Sequence, residues 1–300
     1  MSEEEKDFHS GYVAIVGRPN VGKSTLLNSI LGEEISIVTP KPQTTQRRIT
    51  GIRTTGDSQT VFIDTPGIHK PLNKLGEFMV RTAREALQDA DIILFMVEPQ
   101  SPGAGDRFII DSLKQMKKSR PVFLLINKVD RVKKQEILPL IDEYRTLYPF
   151  EEIFPLSALN PADVTALLDR LVASLPVGPL YYPDDIITDQ YERTVVAEII
   201  REKIMEATKD EVPHAVAVEI IQWTEREDGL LSLAANIYVE RQGQKGIIIG
   251  KKGERLKSVG SASRTRIEKF LHRKVFMELW VKVREDWRSD EKILKELGFQ

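Results

Sequence analysis

Short apolar runs alternate with amphipathic stretches over the first 175 residues of the chain. The apolar runs are rich in branched side chains and bounded by turn-forming residues, so they predict buried strands at 12–16, 60–63, 92–97, 122–126 and 153–156. The stretches between them predict helices at 24–31, 76–89, 106–117, 134–147 and 164–175. Residues 49–54, beside 59–64, predict an antiparallel hairpin at one edge. Strands that are apolar on both faces and alternate with helices indicate an α/β fold with a mostly parallel, doubly wound sheet.

The pattern changes after a proline-rich stretch. Residues 175–183 contain three prolines and a glycine, which cannot continue a helix, so we predict an interdomain linker at 176–188. Beyond it the pattern predicts a helix at 189–207, strands at 216–224 and 231–239, helical pieces around 250–253 and a strand at 275–283. This order is typical of an α+β domain. Since 300 residues are twice the usual ~150 for one domain, we predict domains at 1–175 and 189–300.

Composition excludes several classes of protein. The chain has no cysteine, which excludes disulfides, thiolate zinc sites and cysteine nucleophiles and fits a reducing cytoplasm. No apolar run approaches ~18 residues, so we expect neither a signal peptide nor a spanning helix. The net charge of −2 is unevenly distributed: 184–228 holds thirteen acidic and five basic residues, and 241–274 holds eleven basic and two acidic ones. The near-neutral total therefore conceals a second half with regions of opposite charge.

A glycine-rich loop directly follows the first predicted strand. Residues 17–24 match GxxxxGKS at every fixed position and precede a predicted helix, which argues against a chance glycine-rich turn. In such a loop the backbone N–H groups hold phosphates, Lys23 reaches the terminal phosphates, and Ser24 supplies a hydroxyl to Mg²⁺. The predicted nucleotide contacts here are Gly17, Arg18, Pro19, Asn20, Val21, Gly22, Lys23, Ser24 and Thr25.

The segment that begins at Asn127 and Lys128 predicts which base is bound. The Asp130 carboxylate can accept two hydrogen bonds from the N1–H and 2-amino groups of guanine, a donor pair that adenine lacks. The alternative is a simple turn in which Asp130 caps a helix. Behind a phosphate-binding loop, the segment favours GTP and GDP as ligands. Ser157, Ala158 and Leu159, which follow the last strand, are predicted to complete the base pocket through their backbone N–H groups.

Asp64, Thr65, Pro66 and Gly67 lie at the carboxyl end of a predicted strand, where open α/β sheets bind their ligands. We expect Asp64 to hold Mg²⁺ and the Gly67 N–H to contact the γ-phosphate. A second switch ligand for Mg²⁺ should come from the polar loop 40–48. Thr44 and Thr45 are both candidates that the sequence does not separate, and we prefer Thr45. The predicted switch segments are 37–48 and 67–80.

These five elements, in this order, resemble the translation-factor-related class of GTPases. Within that class, GRPNVGKSTLLN and DTPG followed by an aliphatic residue resemble the group of Era and tRNA-modifying GTPases. The resemblance implies a P-loop GTPase whose catalytic candidates are Lys23, Asn20, Thr45 and Gly67. Ile68 stands where Ras-like enzymes carry the glutamine that orients water, so another group must organise catalysis. Asn20 matches an asparagine that this group associates with K⁺, although a turn-forming role is the alternative.

The basic stretch contains a second motif. Gly250, Lys251, Lys252 and Gly253 form a GXXG turn between helical pieces, and this order of elements resembles a type II KH domain. The predicted RNA contacts are Ile249, Gly250, Lys251, Lys252, Gly253 and Arg255, with a solvated basic turn as the alternative. The tryptophans at 223, 280 and 287 are candidates for base stacking, but Trp280 alternates within a strand and is expected in the core.

The combination of both motifs across nearly the whole chain resembles the Era family of bacterial GTPases. The resemblance implies binding to the 3′ end of 16S rRNA, maturation of the 30S subunit, and a cytoplasmic monomer with peripheral contact to the inner membrane. Three alternatives stay open: a GTPase of RNA modification, a KH protein with a structural nucleotide site, and a peripheral membrane signalling GTPase. The first would need a further catalytic domain, and intact Lys23, Ser24 and Asp64 argue against the second. The third would not need GXXG.

Overall fold

The computed structural model describes residues 7–41, 44–68, 70–209 and 212–299. Positions 42, 43 and 69 of the predicted switch segments, and positions 210 and 211 of the acidic stretch, lie outside the described residues. The described chain forms two compact units, which are not contiguous in sequence. The first unit takes its residues from Met1–Ser36, Thr45–Lys70 and Met79–Asp189, and the second from Ile37–Thr44, Pro71–Phe78 and Gln190–Gln300.

A six-stranded sheet forms the centre of the first unit, in the order β2-β3-β1-β4-β5-β6. The strands are β1 (His9–Gly17), β2 (Ile49–Thr54), β3 (Ser58–Asp64), β4 (Ile92–Val97), β5 (Val122–Ile126) and β6 (Glu152–Pro155). Strand β2 pairs antiparallel with β3 at the edge, and the other pairs are parallel. The predicted edge hairpin and the mostly parallel sheet are therefore confirmed.

Helices cover both faces of this sheet because successive strand residues point to opposite sides. The helices are α1 (Lys23–Leu31), α2 (Lys74–Asp89), α3 (Ala104–Lys114), α4 (Lys134–Arg145) and α5 (Pro161–Ser174). On β1, Val13 and Ile15 pack with apolar residues of α1 and α5, whereas Ala14 and Val16 pack with those of α2, α3 and α4. This arrangement leaves the carboxyl ends of the strands for the loops that carry the predicted site.

The proline-rich stretch is bound along the first unit. Both polar atoms of the Gln59 side-chain amide bond to this stretch: the oxygen accepts from the N–H groups of Tyr181 and Tyr182, and the nitrogen donates to the Tyr182 carbonyl. At the start of the stretch, the Gly178 N–H donates to the Phe8 carbonyl at 3.0 Å. Helix α5 ends before Pro176, and backbone groups of the non-helical stretch that follows are satisfied by Gln59 of β3 and by the Phe8 carbonyl.

The second unit contains a three-stranded sheet in the order β7-β8-β9. Its elements are α6 (Glu192–Ala207), β7 (Ala217–Glu225), β8 (Leu231–Val239), α7 (Gln242–Ile249), α8 (Glu254–Leu271), β9 (Val275–Val283) and α9 (Glu291–Glu296). Strands β7 and β8 are antiparallel, and β8 and β9 are parallel. Helices α6, α7 and α8 share one apolar core with the sheet, so the predicted α+β order is confirmed.

The prediction for Trp280 is wrong. On β9, Val275 and Val281 face the core, and Phe276 and Trp280 face outward, each 43% exposed. The strand has a helix-covered face and an open face, so alternation does not tell which set is buried. Trp287 is fully buried and donates its indole N–H to the Ala215 carbonyl at 3.1 Å, which removes it as a base-stacking candidate. No helix within the described ranges is both long and apolar enough to cross a bilayer.

Candidate nucleotide and RNA sites

The phosphate-binding loop joins the end of β1 to the start of α1, as the motif requires. Lys23, the first residue of α1, is only 6% exposed. Its ammonium donates to the Gly17 carbonyl at 3.2 Å and to the Arg18 carbonyl at 2.9 Å. Burial lowers the pKa of Lys23 to about 8, and the Asp64 carboxylate partly opposes this shift. The Lys23 ammonium is therefore a buried cation that has lost most of its contact with water and donates instead to two backbone carbonyls.

Ser24 and Asp64 meet at the predicted metal position. The Ser24 hydroxyl donates to Asp64 Oδ2 at 2.6 Å, and the Ser36 hydroxyl donates to the same oxygen at 2.9 Å. The second oxygen, Asp64 Oδ1, is buried and has no hydrogen-bond partner among the described residues. Burial raises the pKa of Asp64, while Lys23 and the hydroxyl groups lower it. A buried carboxylate oxygen without a donor, next to hydroxyl oxygens, fits the ligand chemistry of Mg²⁺.

The structure separates the two candidate threonines. The Thr45 hydroxyl lies 3.0 Å from the Ser24 hydroxyl, beside Asp64. The Thr44 hydroxyl instead donates to the Lys41 carbonyl at 2.7 Å. Thr45 therefore lies with the predicted metal ligands and Thr44 does not. The predictions missed Ser36, which is fully buried and carries no motif that could have revealed it.

The turn after β3 lies against the phosphate-binding loop. A Cβ added at Gly67 would come within 2.7 Å of the Pro19 backbone nitrogen and Cγ, so only glycine fits this approach. The Thr65 hydroxyl, which is fully buried, donates to the Ile15 carbonyl at 2.9 Å and fixes the start of the turn. Ile68 is 2% exposed and its N–H donates to the Gly17 carbonyl at 3.2 Å. Its apolar side chain is buried in the core of the first unit.

The predicted base-binding segment also supports the phosphate-binding loop. Asn127 is 2% exposed; its side-chain nitrogen donates to the Val21 carbonyl at 2.7 Å and its oxygen accepts from the Ala158 N–H at 2.9 Å. Asp130 lies in the short 3₁₀ turn Val129–Arg131 and is exposed, so its carboxylate is accessible to a base.

The N–H groups of Ser157 and Ala158 have different partners from those predicted. The Ser157 N–H donates to Asp163 Oδ2 at 2.8 Å, and that of Ala158 is used by Asn127. In this structure they stabilise the start of α5 and the position of Asn127 instead of facing a base. Leu159, in contrast, is 74% exposed. Asp163 is a local partner in the first turn of α5, whereas Asn127 lies 31 residues earlier in the sequence and is brought to Ala158 only by folding.

The GXXG turn connects α7 to α8 in the second unit. Gly250 has φ 72°, and a Cβ there would lie 2.8 Å from the Arg255 Cβ, so the turn needs glycine. Lys251 and Lys252 are exposed, and the Arg255 guanidinium donates to the Ile247 carbonyl. Ile249 is half-buried at the edge of the core. The two lysines are therefore presented on a turn that backbone geometry holds in place.

A cavity of about 460 Å³ begins at this turn. Met277 and Leu279 of β9 and Leu256 of α8 provide its apolar side, and Lys257 and Arg264 of α8 provide its charge. Such a groove can accept bases on its apolar side and phosphates along its basic side. The predictions named none of these residues, although the α8 cations belong to the basic stretch noted in the sequence.

Two family models match the chain. One, described as a 50S ribosome-binding GTPase, matches residues 12–128, and the other, described as a KH domain, matches residues 211–288. The chain is 54% identical to the GTPase Era of Geobacter metallireducens over 297 residues, which cover 98% of this chain and 99% of the relative. It is 50% identical to the GTPase Era of Ruminiclostridium cellulolyticum, with 98% of both chains covered.

Solved structures agree with the sequence comparisons. A crystal structure of Era in complex with MgGDPNP and nucleotides 1506–1542 of 16S ribosomal RNA is 41% identical to this chain, with a TM-score of 0.94. It covers 97% of this chain and 99% of that one. A variant of Aquifex aeolicus Era bound to GDP and AlF4⁻ is also 41% identical, with a TM-score of 0.92 and the same coverage.

Proposed function

Since the chain belongs to the Era family of GTPases, we propose that it hydrolyses GTP to GDP and phosphate, binds the 3′ end of 16S rRNA and assists maturation of the 30S subunit. The observation that carries the proposal is the presence, in one chain, of a phosphate-binding loop with Asp64 and a GXXG turn that opens into a basic groove. The match to a relative named GTPase Era extends over 98% of this chain and 99% of the relative, so it includes both the phosphate-binding loop and the GXXG turn.

The nucleotide would be held by the loop 17–25 and by Asn127, Lys128 and Asp130. Ser24, Thr45 and Asp64 would hold Mg²⁺, which supplies positive charge to the phosphates when bound. Lys23 would contact the terminal phosphates once its ammonium leaves the Gly17 and Arg18 carbonyls. The Gly67 N–H would donate a hydrogen bond to the γ-phosphate, so the conformation of the switch segment 67–80 would depend on whether that phosphate is bound.

Because Ile68 cannot orient the attacking water, catalysis needs another contribution. We infer that a K⁺ ion held by Asn20 would supply positive charge at the phosphates. Asn20 has φ 67°, a conformation that glycine adopts without strain. Asn20→Gly should therefore keep the loop conformation and remove the amide oxygen that would bind K⁺. We expect hydrolysis by the wild-type protein to be faster in K⁺ than in matched Na⁺ buffer, and the variant to lose this difference. Equal wild-type rates in the two buffers would contradict the K⁺ role.

Adjacent residues support a connection between the nucleotide and RNA sites. In the second unit, the Arg201 guanidinium is 1% exposed, pairs with Glu198 and donates to the Thr44 carbonyl. The next residue along the chain, Thr45, belongs to the first unit and contacts Ser24. Movement of Thr45 with the γ-phosphate would therefore pull on a residue anchored in the second unit. Equal RNA affinity with a GTP analogue and with GDP would refute this coupling.

The test of RNA function is crosslinking in cells followed by sequencing of the bound RNA. We expect enrichment at the 3′ end of 16S rRNA for the wild-type protein and loss of that enrichment for Gly253→Asp. A Cβ at Gly253 meets no neighbour within 4 Å, so the aspartate would not clash with the rest of the unit. Because φ is 79° at this position, the substitution adds backbone strain as well as negative charge, and both effects are local to the turn. Gly56→Asp is the matched control, because Gly56 is exposed and also has open space around it. Enrichment at another RNA would refute the role in the small subunit and would leave the proposed GTPase activity unaffected.

The cytoplasm is the proposed location, with peripheral contact to the cytoplasmic face of the inner membrane, and sedimentation with anionic vesicles tests that contact. RNA competitor should release the protein if the basic groove is the surface that contacts lipid. Undiminished sedimentation in excess RNA would place any lipid contact elsewhere.

A further inference from the structure

Asp106 is a buried carboxylate that the nucleotide motifs do not include. It is the third residue of α3 and is fully buried. Its Oδ2 accepts from the Gly103 N–H at 2.9 Å, and its Oδ1 accepts from Arg18 Nε at 2.8 Å. One carboxylate therefore connects two elements: Oδ2 bonds to the start of α3, and Oδ1 bonds to Arg18 of the phosphate-binding loop.

Arg18 connects this carboxylate to Lys23. Its side chain extends to Asp106, and its backbone carbonyl accepts from the Lys23 ammonium at 2.9 Å. The stem of Arg18 lies against the backbone of α3, since a Cβ at Gly105 would be 2.7 Å from Arg18 Cδ. The guanidinium is thus fixed by both an ion pair and close packing. A shift of Arg18 would move a carbonyl that contacts the lysine of the phosphate site.

We propose that Asp106 is a positioning residue for GTP hydrolysis, which acts through Arg18 on the phosphate-binding loop. This inference rests on the proposed GTPase activity at that loop. Charge develops on phosphate oxygens during the reaction, so small displacements of the loop lower turnover more than they lower binding of the product nucleotide. The connection to α3 is separate from those that Asn127 and Lys128 make, which start from the base-binding segment.

The alternative is that Asp106 only stabilises the fold, as a helix cap and as a buried partner for Arg18. The two roles differ in how double variants behave. Arg18→Met leaves the Asp106 charge buried without its partner, which is strongly destabilising. Adding Asp106→Asn removes that charge and keeps an oxygen that can accept from the Gly103 N–H. The double variant should therefore recover stability but not the position of the loop.

The experiment measures kcat, the dissociation constants of GTP and GDP, and the melting temperature for the wild-type protein, both single variants and the double variant. We expect each single variant to lower kcat about ten- to a hundredfold while GDP affinity changes about threefold or less. The double variant should be more stable than Arg18→Met, with kcat no higher than in the better single variant. Asp142→Asn is the control: Asp142 is exposed on α4 and pairs with Arg145 at 3.6 Å, so its removal should leave kcat unchanged.

Two results would overturn the positioning role. One is a kcat that follows the melting temperature, so that the double variant recovers both. The other is an unchanged kcat in folded single variants. If the wild-type protein itself hydrolyses no GTP in this assay, the proposed function fails, whereas normal wild-type turnover with unaffected variants refutes only the role of Asp106.

Discussion

The Lys128 ammonium donates a hydrogen bond to the Asn20 carbonyl oxygen at 2.6 Å. The same ammonium pairs with the Glu98 carboxylate at 2.5 Å. A side chain from the base-binding segment therefore holds the phosphate-binding loop, next to the bond that Asn127 makes to Val21. In the proposed nucleotide site, the segments assigned to the base and to the phosphates therefore share one connected set of contacts.

Replacement of Lys128 tests this connection. Lys128→Ala should weaken GTP and GDP binding by similar factors, about tenfold, because the contact lies in the part of the loop that both nucleotides use. Titration with fluorescent nucleotide analogues measures both affinities. Lys134→Ala, on an exposed position at the start of α4, is the matched control and should bind normally. A loss confined to GTP would place the effect at the γ-phosphate instead.

The assignment of Asp130 to the base predicts a change of specificity. In Asp130→Asn, an amide N–H donor replaces one acceptor oxygen. Guanine then loses its pair of charge-assisted hydrogen bonds, so the affinity of the variant for GTP should fall about ten- to a hundredfold. Xanthine carries an oxygen where guanine has its 2-amino group, and the amide can donate to it. Competition between GTP and XTP for the variant measures the switch. Undiminished GTP affinity would show that Asp130 does not contact the base.

The close approach of Gly67 to Pro19 predicts that even a methyl group will impair hydrolysis. Gly67→Ala places a Cβ within 2.7 Å of Pro19, so the turn or the loop must move. We expect kcat to fall at least about tenfold, since the displaced N–H is the one assigned to the γ-phosphate. Gly56→Ala, whose Cβ would meet no atom within 4 Å, should retain full turnover. Single-turnover measurements separate slow chemistry from slow product release.

The buried ammonium of Lys23 predicts an unusual dependence of stability on pH. Its pKa is about 8 in the folded protein and 10.5 when solvated, so the unfolded chain binds more protons between these values. The charged form therefore costs stability below pH 8, and this cost disappears as pH rises through 10.5. Lys23→Met removes the cost and should stabilise the nucleotide-free protein at neutral pH by at most about 3 kcal/mol.

Urea unfolding at pH 7 and at pH 10 measures this effect. The stability advantage of Lys23→Met over the wild-type protein should be largest below pH 8 and decrease between pH 8 and 10.5. GTP turnover by the variant should be abolished at both pH values. An advantage that stays constant with pH would show that the Lys23 ammonium is not destabilised by its site. Loss of activity with gained stability is typical of a strained functional residue.

The elements that were predicted most closely are those whose local pattern has one interpretation. Strands β4 and β5 begin and end where the sequence predicts, because each is a run of large apolar residues in the interior of a sheet that is covered on both faces, and every residue of both strands is buried. Helix α5 begins three residues earlier than predicted, at Pro161, because Asn160 caps it by accepting from the Ala162 N–H. The predicted strand at 275–283 is also present, yet which of its faces is buried was assigned wrongly for Trp280.

The sequence by itself determined the order of the elements, the nucleotide motif and the GXXG turn, because each depends on residues close together in the chain. Only the tertiary structure decided which distant groups share a site. Ser36 and Thr45 join Asp64, Asp106 joins Arg18, and β9 joins α8 around the groove. These contacts form between residues far apart in sequence, and a single buried hydroxyl or carboxylate has no periodic pattern of its own. Burial then sets their chemistry, since the pKa of Lys23 and that of Asp64 shift only when folding removes water from both.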